Sequence, residues 1–270
     1  MADKIAIIQA RMSSSRLPGK VLMDITGKPM LLRVIERLNL AKHLDGILVA
    51  ATSDDSDDPI ADLCREEGVQ CFRGSQFNVL DRFYKAALLA HAATIVRITA
   101  DCPLIDPNLL DHLLKVYKRS EADFIANRLP PPFQRSFPIG LDIEICTFAA
   151  LEKTWQEADQ PHQQEHVMPY LYEDVMLNKL DPNHSEGTSS RGFKVLILEH
   201  VPDLGHLRWT VDTPQDLEFI RRVFAHFPGR IDFSWLEVLD LVRSDPELAQ
   251  INAGIYHKSL HDVDERKKRV

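Results

Sequence analysis

The chain alternates short apolar runs with polar stretches that carry apolar residues at helical spacing, a pattern that predicts an α/β protein. Residues 5–10 (IAIIQA) form the first run, apolar and β-branched like a strand buried on both faces. Runs at 46–52 (GILVAAT), 69–72, 93–100 (ATIVRITA) and 193–199 predict further strands. Helical spacing is seen in Leu31, Val34, Ile35 and Leu38 within 21–40, then at 59–67, in the later part of 73–91 (a loop and then an amphipathic helix), and at 107–117. Thr147 is an N-cap for FAALEKTWQEA, and further helices are predicted after Thr213-Pro214 and over 233–249. Residues 207–211 read as a strand ending at Asp212, and 141–146 (LDIEIC) as a strand with Asp142 and Glu144 on one face. Residues 181–192 read as a loop, and four prolines with two arginines mark an irregular crossing at 127–140.

The first strand leads into a different kind of sequence. Residues 11–20 (RMSSSRLPGK) hold Ser13, Ser14 and Ser15 between Arg11, Arg16 and Lys20, and Pro18-Gly19 forbids a regular helix. A loop at the carboxyl end of a strand is where open α/β sheets bind ligands. Small side chains admit backbone N–H groups to an anion and the cations neutralise it, so the chemistry suits a polyphosphate. It is not a Walker A loop, which needs Gly at 14 and Ser or Thr at 21 where the chain has Ser14 and Val21. It is not a dinucleotide fingerprint either, since only Gly19 is present. A basic surface turn is the plain alternative.

Acidic residues offer the counterpart. Asp101 ends the 93–100 run before a turn containing two prolines, a position suited to a metal, although it could also cap that turn. Asp106 is placed to cap the 107–117 helix, and Asp57 and Asp58 to cap the one at 59–67. Thr52, at a strand's carboxyl end, is better placed to meet a ligand. For Asp142 and Glu144 a solvated strand face remains open beside a functional role. His162, Glu165 and His166 match the spacing HxxEH of a zinc peptidase, but nothing else supports one and zinc is not expected.

Three of these stretches, at 5–22, 95–106 and 207–217, resemble the signatures of the cytidylyltransferase family that activates sugar acids, with the SpsF-type spore-coat polysaccharide branch the nearer match. The order Ala10, Arg11, serines, Arg16, Pro18, Lys20 carries the first, RITADCPLIDP the second and LRWTVDTPQDL the third. The resemblance implies a Rossmann-like, GT-A-like nucleotidyltransferase fold: a mixed, mostly parallel sheet sandwiched by helices. It implies one domain over 1–270, with 122–200 an insert for acceptor binding and dimer contact. Its implied reaction is transfer of CMP from CTP to a sugar acid or similar hydroxylated acid, releasing pyrophosphate. Arg11, Arg16 and Lys20 would act on the triphosphate, with Lys20 and Arg16 facing the β- and γ-phosphates, and Asp101 and Asp212 would hold Mg²⁺. Gln9, Ala10, Ser14, Thr52, Arg73, Gly74, Leu80, Arg82 and Ala100 would surround the nucleotide. Gly140, Asp142, Glu144, Glu165 and His166 would surround the acceptor, with Gln164 standing where the family shows arginine.

Composition narrows the partners. A net charge of −8 over 270 residues argues against nucleic acid. No apolar run reaches membrane-spanning length, and residues 1–20 lack a signal-peptide core. Four cysteines without CxxC spacing read as reduced thiols of a cytoplasmic protein. The partners that the resemblance implies are CTP, an acidic sugar-like acceptor and a second copy of the chain. Two competitors stand beside this: a glycosyltransferase using a ready-made sugar nucleotide, and a silent nucleotide-sugar binder. The Asp-x-Asp of the former is missing at Asp101-Cys102-Pro103.

Overall fold

The computed structural model describes residues 3–130, 133 and 135–255. In chain order the strands are β1 (Lys4–Gln9), β2 (Asp24–Ile25), β3 (Lys28–Pro29), β4 (Gly46–Thr52), β5 (Gln70–Gly74), β6 (Thr94–Thr99), β7 (Phe124–Ala126), β8 (Glu144–Thr147), β9 (Asn178–Asp181), β10 (His184–Thr188) and β11 (Lys194–Leu198). The helices are α1 (Met30–Leu38), α2 (Asp58–Glu66), α3 (Val79–Leu89), α4 (Pro107–Arg119), α5 (Phe148–Glu157), α6 (Pro161–His166), α7 (Pro169–Tyr172), α8 (Pro214–His226), α9 (Trp235–Ser244) and α10 (Pro246–Gln250).

Nine strands form one mixed sheet in the order β5-β4-β1-β6-β8-β7-β11-β10-β9. The first four are mutually parallel, while β8 runs antiparallel between β6 and β7. The chain passes from β1 outward to β4 on one side and returns to β6 on the other. This reversal is a topological switch point, and it puts the carboxyl ends of β1 and β6 side by side, the place where such sheets take ligands. Ala100 N–H donates to Gln9 O at 3.0 Å and Ala10 N–H to Ala50 O at 3.2 Å, so the pairing continues to the mouth of the site.

Continuous apolar strands are needed because both faces of the sheet are covered. Ala6 and Ile8 belong to one buried cluster, Ile5 and Ile7 to the other. The first cluster lies under α1, α4, α8 and α9, and the second under α3, α5 and α7. This is the Rossmann-like architecture that the resemblance implied.

Several local expectations are corrected. The 21–40 helix starts only at Met30, because a 3-10 turn (Lys20–Leu22) and the β2–β3 hairpin precede it. The 181–192 loop is largely a hairpin: β9 and β10 pair with each other, but their polar residues show no apolar alternation. Residues 141–143 precede β8 rather than belonging to it. Residues 207–211 are not a named strand; one bridge joins Arg208 to Ile139. The 233–249 helix is two, broken at Asp245 before Pro246. The charge run at 265–269 lies outside the described residues.

Candidate functional site

The loop after β1 is held as a compact turn. Met12 O accepts from both Ser14 N–H, at 2.9 Å, and Gly19 N–H, at 2.8 Å. Gly19 adopts φ 72°, a left-handed geometry that glycine takes without steric cost. The loop is anchored from outside by Asp57. That fully buried carboxylate accepts Met12 N–H at 2.7 Å, Thr52 N–H at 2.9 Å and the Thr52 hydroxyl at 2.6 Å. Asp57 therefore ties the loop to β4 and makes no side-chain cap on α2, the role expected for it. Thr52 is likewise committed to Asp57 and buried.

At the loop's end Lys20 turns inward. Its Nζ donates to Asp101 Oδ2 at 2.7 Å, Asp212 Oδ1 at 2.9 Å and Val211 O at 2.7 Å. Two aspartates far apart in the chain thus meet on one ammonium. Two half-buried carboxylates draw its charge inward. Burial works against the charge of Lys20, but Asp101 and Asp212 outweigh it and hold the pKa above the usual lysine value. Burial would likewise raise Asp212, yet Lys20, Arg16 and Arg208 hold it well below the ordinary carboxylate range.

Asp212 is not delivered by a strand. Thr210 Oγ1 donates to Asp101 O at 3.1 Å and Val211 N–H to the same oxygen at 2.9 Å, which fastens 207–212 to the end of β6. Arg16 reaches Asp212 Oδ2 at 2.8 Å from the loop side. Arg208 meets the same oxygen at 2.6 Å and Asp216 Oδ1 at 2.9 Å, both through buried nitrogens. Asp216 closes a capping box with Thr213 in the first turn of α8 and accepts from Asn252 at 3.0 Å. Sequence reasoning passed over Arg208. Its signal was the four-residue spacing Arg208, Asp212, Asp216, which places one cation within reach of two carboxylates close in sequence.

On the β4–β5 side, Arg73 donates to Thr52 O at 2.9 Å and Asp54 O at 2.7 Å, and Gly74 O receives Ser53 N–H at 2.8 Å. Leu80 is core. Arg82 is fully buried and bonds Ser75 O, while its Nε and Nη2 have no hydrogen-bond partner among the described residues. Burial first, then the nearby Arg11 charge, brings its pKa down to about 10. Buried, under-compensated positive charge at this point favours an anion.

The acceptor-side residues are distributed unevenly. Gly140 has φ 105°, and a Cβ there would lie 2.6 Å from the Trp209 carbonyl carbon, so the 139–142 segment packs directly on the strand-like approach to Asp212. Asp142 is paired with Arg135, whose Nη2 lies 3.2 Å from Oδ2, and lies 3.5 Å from Arg128 Nε. Burial, then the Asp101 and Asp142 charges, push the Cys102 thiol well above its usual value. Glu144 is neither solvated nor facing the loop: it is buried against Arg97, whose Nη2 also donates to Gln9 Oε1 at 3.1 Å. Glu165 and His166 end α6, which packs on α3. His162 Nε2 lies 2.9 Å from Glu173 Oε2, so its ring is engaged by a carboxylate.

Among the described residues no group of three or more His, Cys, Asp or Glu gathers as a metal site. Two carboxylates and the Val211 carbonyl do converge on the Lys20 ammonium. A pair of carboxylates fits Mg²⁺, which retains waters and takes phosphate oxygens, better than it fits a four-ligand zinc centre.

Residues 5–224 match the family model described as cytidylyltransferase. A solved cytidylyltransferase from Leptospira borgpetersenii is 31% identical, covers 95% of this chain and all of its own, and superposes with a TM-score of 0.82. The spore coat polysaccharide biosynthesis protein SpsF of Bacillus subtilis is 30% identical over 92% of this chain and 98% of its own length. A 3-deoxy-manno-octulosonate cytidylyltransferase of Anaeromyxobacter dehalogenans is 29% identical over 83% of this chain and 99% of its own.

Proposed function

This chain belongs to the cytidylyltransferase family and is a nucleotidyltransferase; on that premise we propose that it transfers CMP from CTP to a sugar acid or similar hydroxylated acid, releasing pyrophosphate. The observation that carries the reading is the meeting of the opening loop with both aspartates: Lys20 and Arg16 lie within 2.9 Å of carboxylate oxygens at the sheet's switch point. Phosphate-binding cations and hard-metal ligands share one locus there.

In the reaction an acceptor hydroxyl oxygen bonds to the α-phosphorus as the bond to the oxygen bridging to the β-phosphate breaks; pyrophosphate leaves with that bond's electron pair and the hydroxyl proton is released to solvent. Arg11 and Arg16, on the loop, would hold the triphosphate and stabilise charge on the departing pyrophosphate. Arg82, with two buried nitrogens that find no partner among the described residues, would add positive charge at the nucleotide. Asp101 and Asp212 would hold Mg²⁺, which supplies Lewis acidity toward phosphoryl oxygens and lowers a hydroxyl pKa. Arg208 would keep Asp212 oriented from behind.

On the acceptor side, Arg97, Arg128 and Arg135 face Asp142 and Glu144, an excess of one positive charge that suits a carboxylate. Gly140 admits the close packing that sets this cluster beside the aspartates. The likeness to SpsF and to the 3-deoxy-manno-octulosonate enzyme supports a sugar acid destined for a surface polysaccharide or glycan. A cytoplasmic homodimer, with 122–200 as an insert for acceptor binding and dimer contact, completes this reading. No helix among the described residues is long and apolar enough to cross a membrane.

The test is pyrophosphate release. CTP with Mg²⁺ and a panel of hydroxylated acids, 3-deoxy-manno-octulosonate among them, should yield pyrophosphate and a CMP-conjugate with at least one acid. ATP, GTP and UTP should yield far less. Transfer of a sugar from a ready-made sugar nucleotide, with CTP inert toward every acid, would overturn the reading.

A further inference from the structure

Given that Asp101 and Asp212 are the divalent-cation ligands of the function proposed above, we infer that Lys20 is the exchangeable cation of that pair in the nucleotide-free protein, and that a divalent ion binds there only as the Lys20 ammonium leaves. An ammonium has three N–H donors. All of those of Lys20 go to oxygens of the donor set: Asp101 Oδ2, Asp212 Oδ1 and Val211 O, at 2.7, 2.9 and 2.7 Å. A divalent ion on the same oxygens would face a positive nitrogen across a single oxygen, in a site where the Lys20 side chain is only 9% exposed. Little water screens that repulsion. The two cations therefore exclude one another.

The surroundings allow this exchange with little rearrangement. Asp212 Oδ2 is held by Arg16 at 2.8 Å and by buried Arg208 at 2.6 Å, so the Asp212 carboxylate keeps its orientation when Oδ1 changes partner. The backbone of Lys20 opens the 3-10 turn Lys20–Leu22 just after Gly19 and is fixed by the turn's own bonds. Only the flexible four-carbon stem needs to move, and lysine is the residue whose point charge moves that way. A nucleotide triphosphate offers both parts of the exchange: phosphate oxygens for the displaced ammonium and a metal ion for the vacated carboxylates. Metal and nucleotide binding then reinforce each other, and by linkage each raises the other's affinity. Lys20 thus serves the carboxylates before nucleotide binding and the phosphates after it.

Mn²⁺ titrated into nucleotide-free protein, read by the electron paramagnetic resonance of the free ion, tests this without turnover. Wild type should bind weakly, and Lys20→Met roughly tenfold or more tighter, because the competing charge is gone. Asp101→Asn added to Lys20→Met should abolish the gain. A melt of Lys20→Met and of Lys20→Gln should also rise with Mn²⁺ more than wild type does, which controls for folding of either variant. If Lys20→Met and wild type bind Mn²⁺ equally, each in an Asp101-dependent way, the metal site stands and the exchange is overturned. If neither binds in an Asp101-dependent way, the exchange falls together with the metal reading.

Discussion

The Asp57 carboxylate accepts the backbone N–H of Met12 at 2.7 Å, across 45 positions of chain, from a site with no solvent exposure. Its other oxygen takes the Thr52 amide and hydroxyl. Asp57→Ala removes the acceptor of three donors, two buried on Thr52 and one part-buried on Met12, and should cost about 3 kcal/mol of stability. It should also raise KM for CTP, since the opening loop loses its anchor. Asp57→Asn, which keeps an acceptor, should recover part of both. Urea unfolding beside steady-state kinetics checks this, and a stable Asp57→Ala with ordinary KM would refute the anchoring role.

Arg16 is part-exposed and contributes little to the core, with 29% of its side chain open to solvent. Arg16→Ala should fold normally and lose roughly tenfold to a hundredfold in kcat/KM for CTP, as expected for a charge-assisted contact worth about 1.5–3 kcal/mol. Arg11→Ala should lose at least as much. Pyrophosphate release at saturating acceptor measures both. Ordinary turnover in the two variants would remove the loop from the phosphate site.

Gly140 is required by geometry. At φ 105°, with a Cβ only 2.6 Å from the Trp209 backbone, Gly140→Ala must displace either 139–142 or 207–212. The expected cost is about 1–3 kcal/mol of stability, together with a fall in kcat as Asp212 shifts. Calorimetric melting and kinetics of the one variant report both. A neutral substitution would show that the two segments are not rigidly stacked.

The buried ion cluster predicts a dependence on pH. The folded-state pKa of Asp212 lies below its ordinary value of 3.8, so its stabilisation is complete above that value and is lost as pH falls below it. Lys20 is raised above 10.5, so its contribution is complete below that value and is lost as pH rises past it. Unfolding free energy measured in chelator should therefore decline at both extremes. Lys20→Met should flatten both limbs. Limbs as steep as those of wild type would mean the cluster contributes nothing.

The sequence alone determined what depends on neighbouring residues. The apolar runs around β1, β4 and β6 could only be buried strands, because a continuous apolar segment needs cover on both faces whatever covers it. Thr147 and Asp106 were legible as caps, since each bonds an amide three residues on. The polar loop after β1 was legible as a loop, since Pro18 and Gly19 forbid a regular helix there. Tertiary structure alone decided the pairing of charges. Lys20 lies 81 positions from Asp101 and 192 from Asp212, and no periodicity links them. Whether Lys20 points outward or inward, whether Glu144 faces solvent or Arg97, and whether Asp57 caps a helix or anchors a loop all turn on which remote segments pack together. The β9–β10 hairpin escaped notice for a related reason: its exposed polar strands bury no face, so they leave no alternation to read. Charged side chains carry long-range, partner-dependent energies, and only the folded arrangement of the sheet's carboxyl ends chooses their partners.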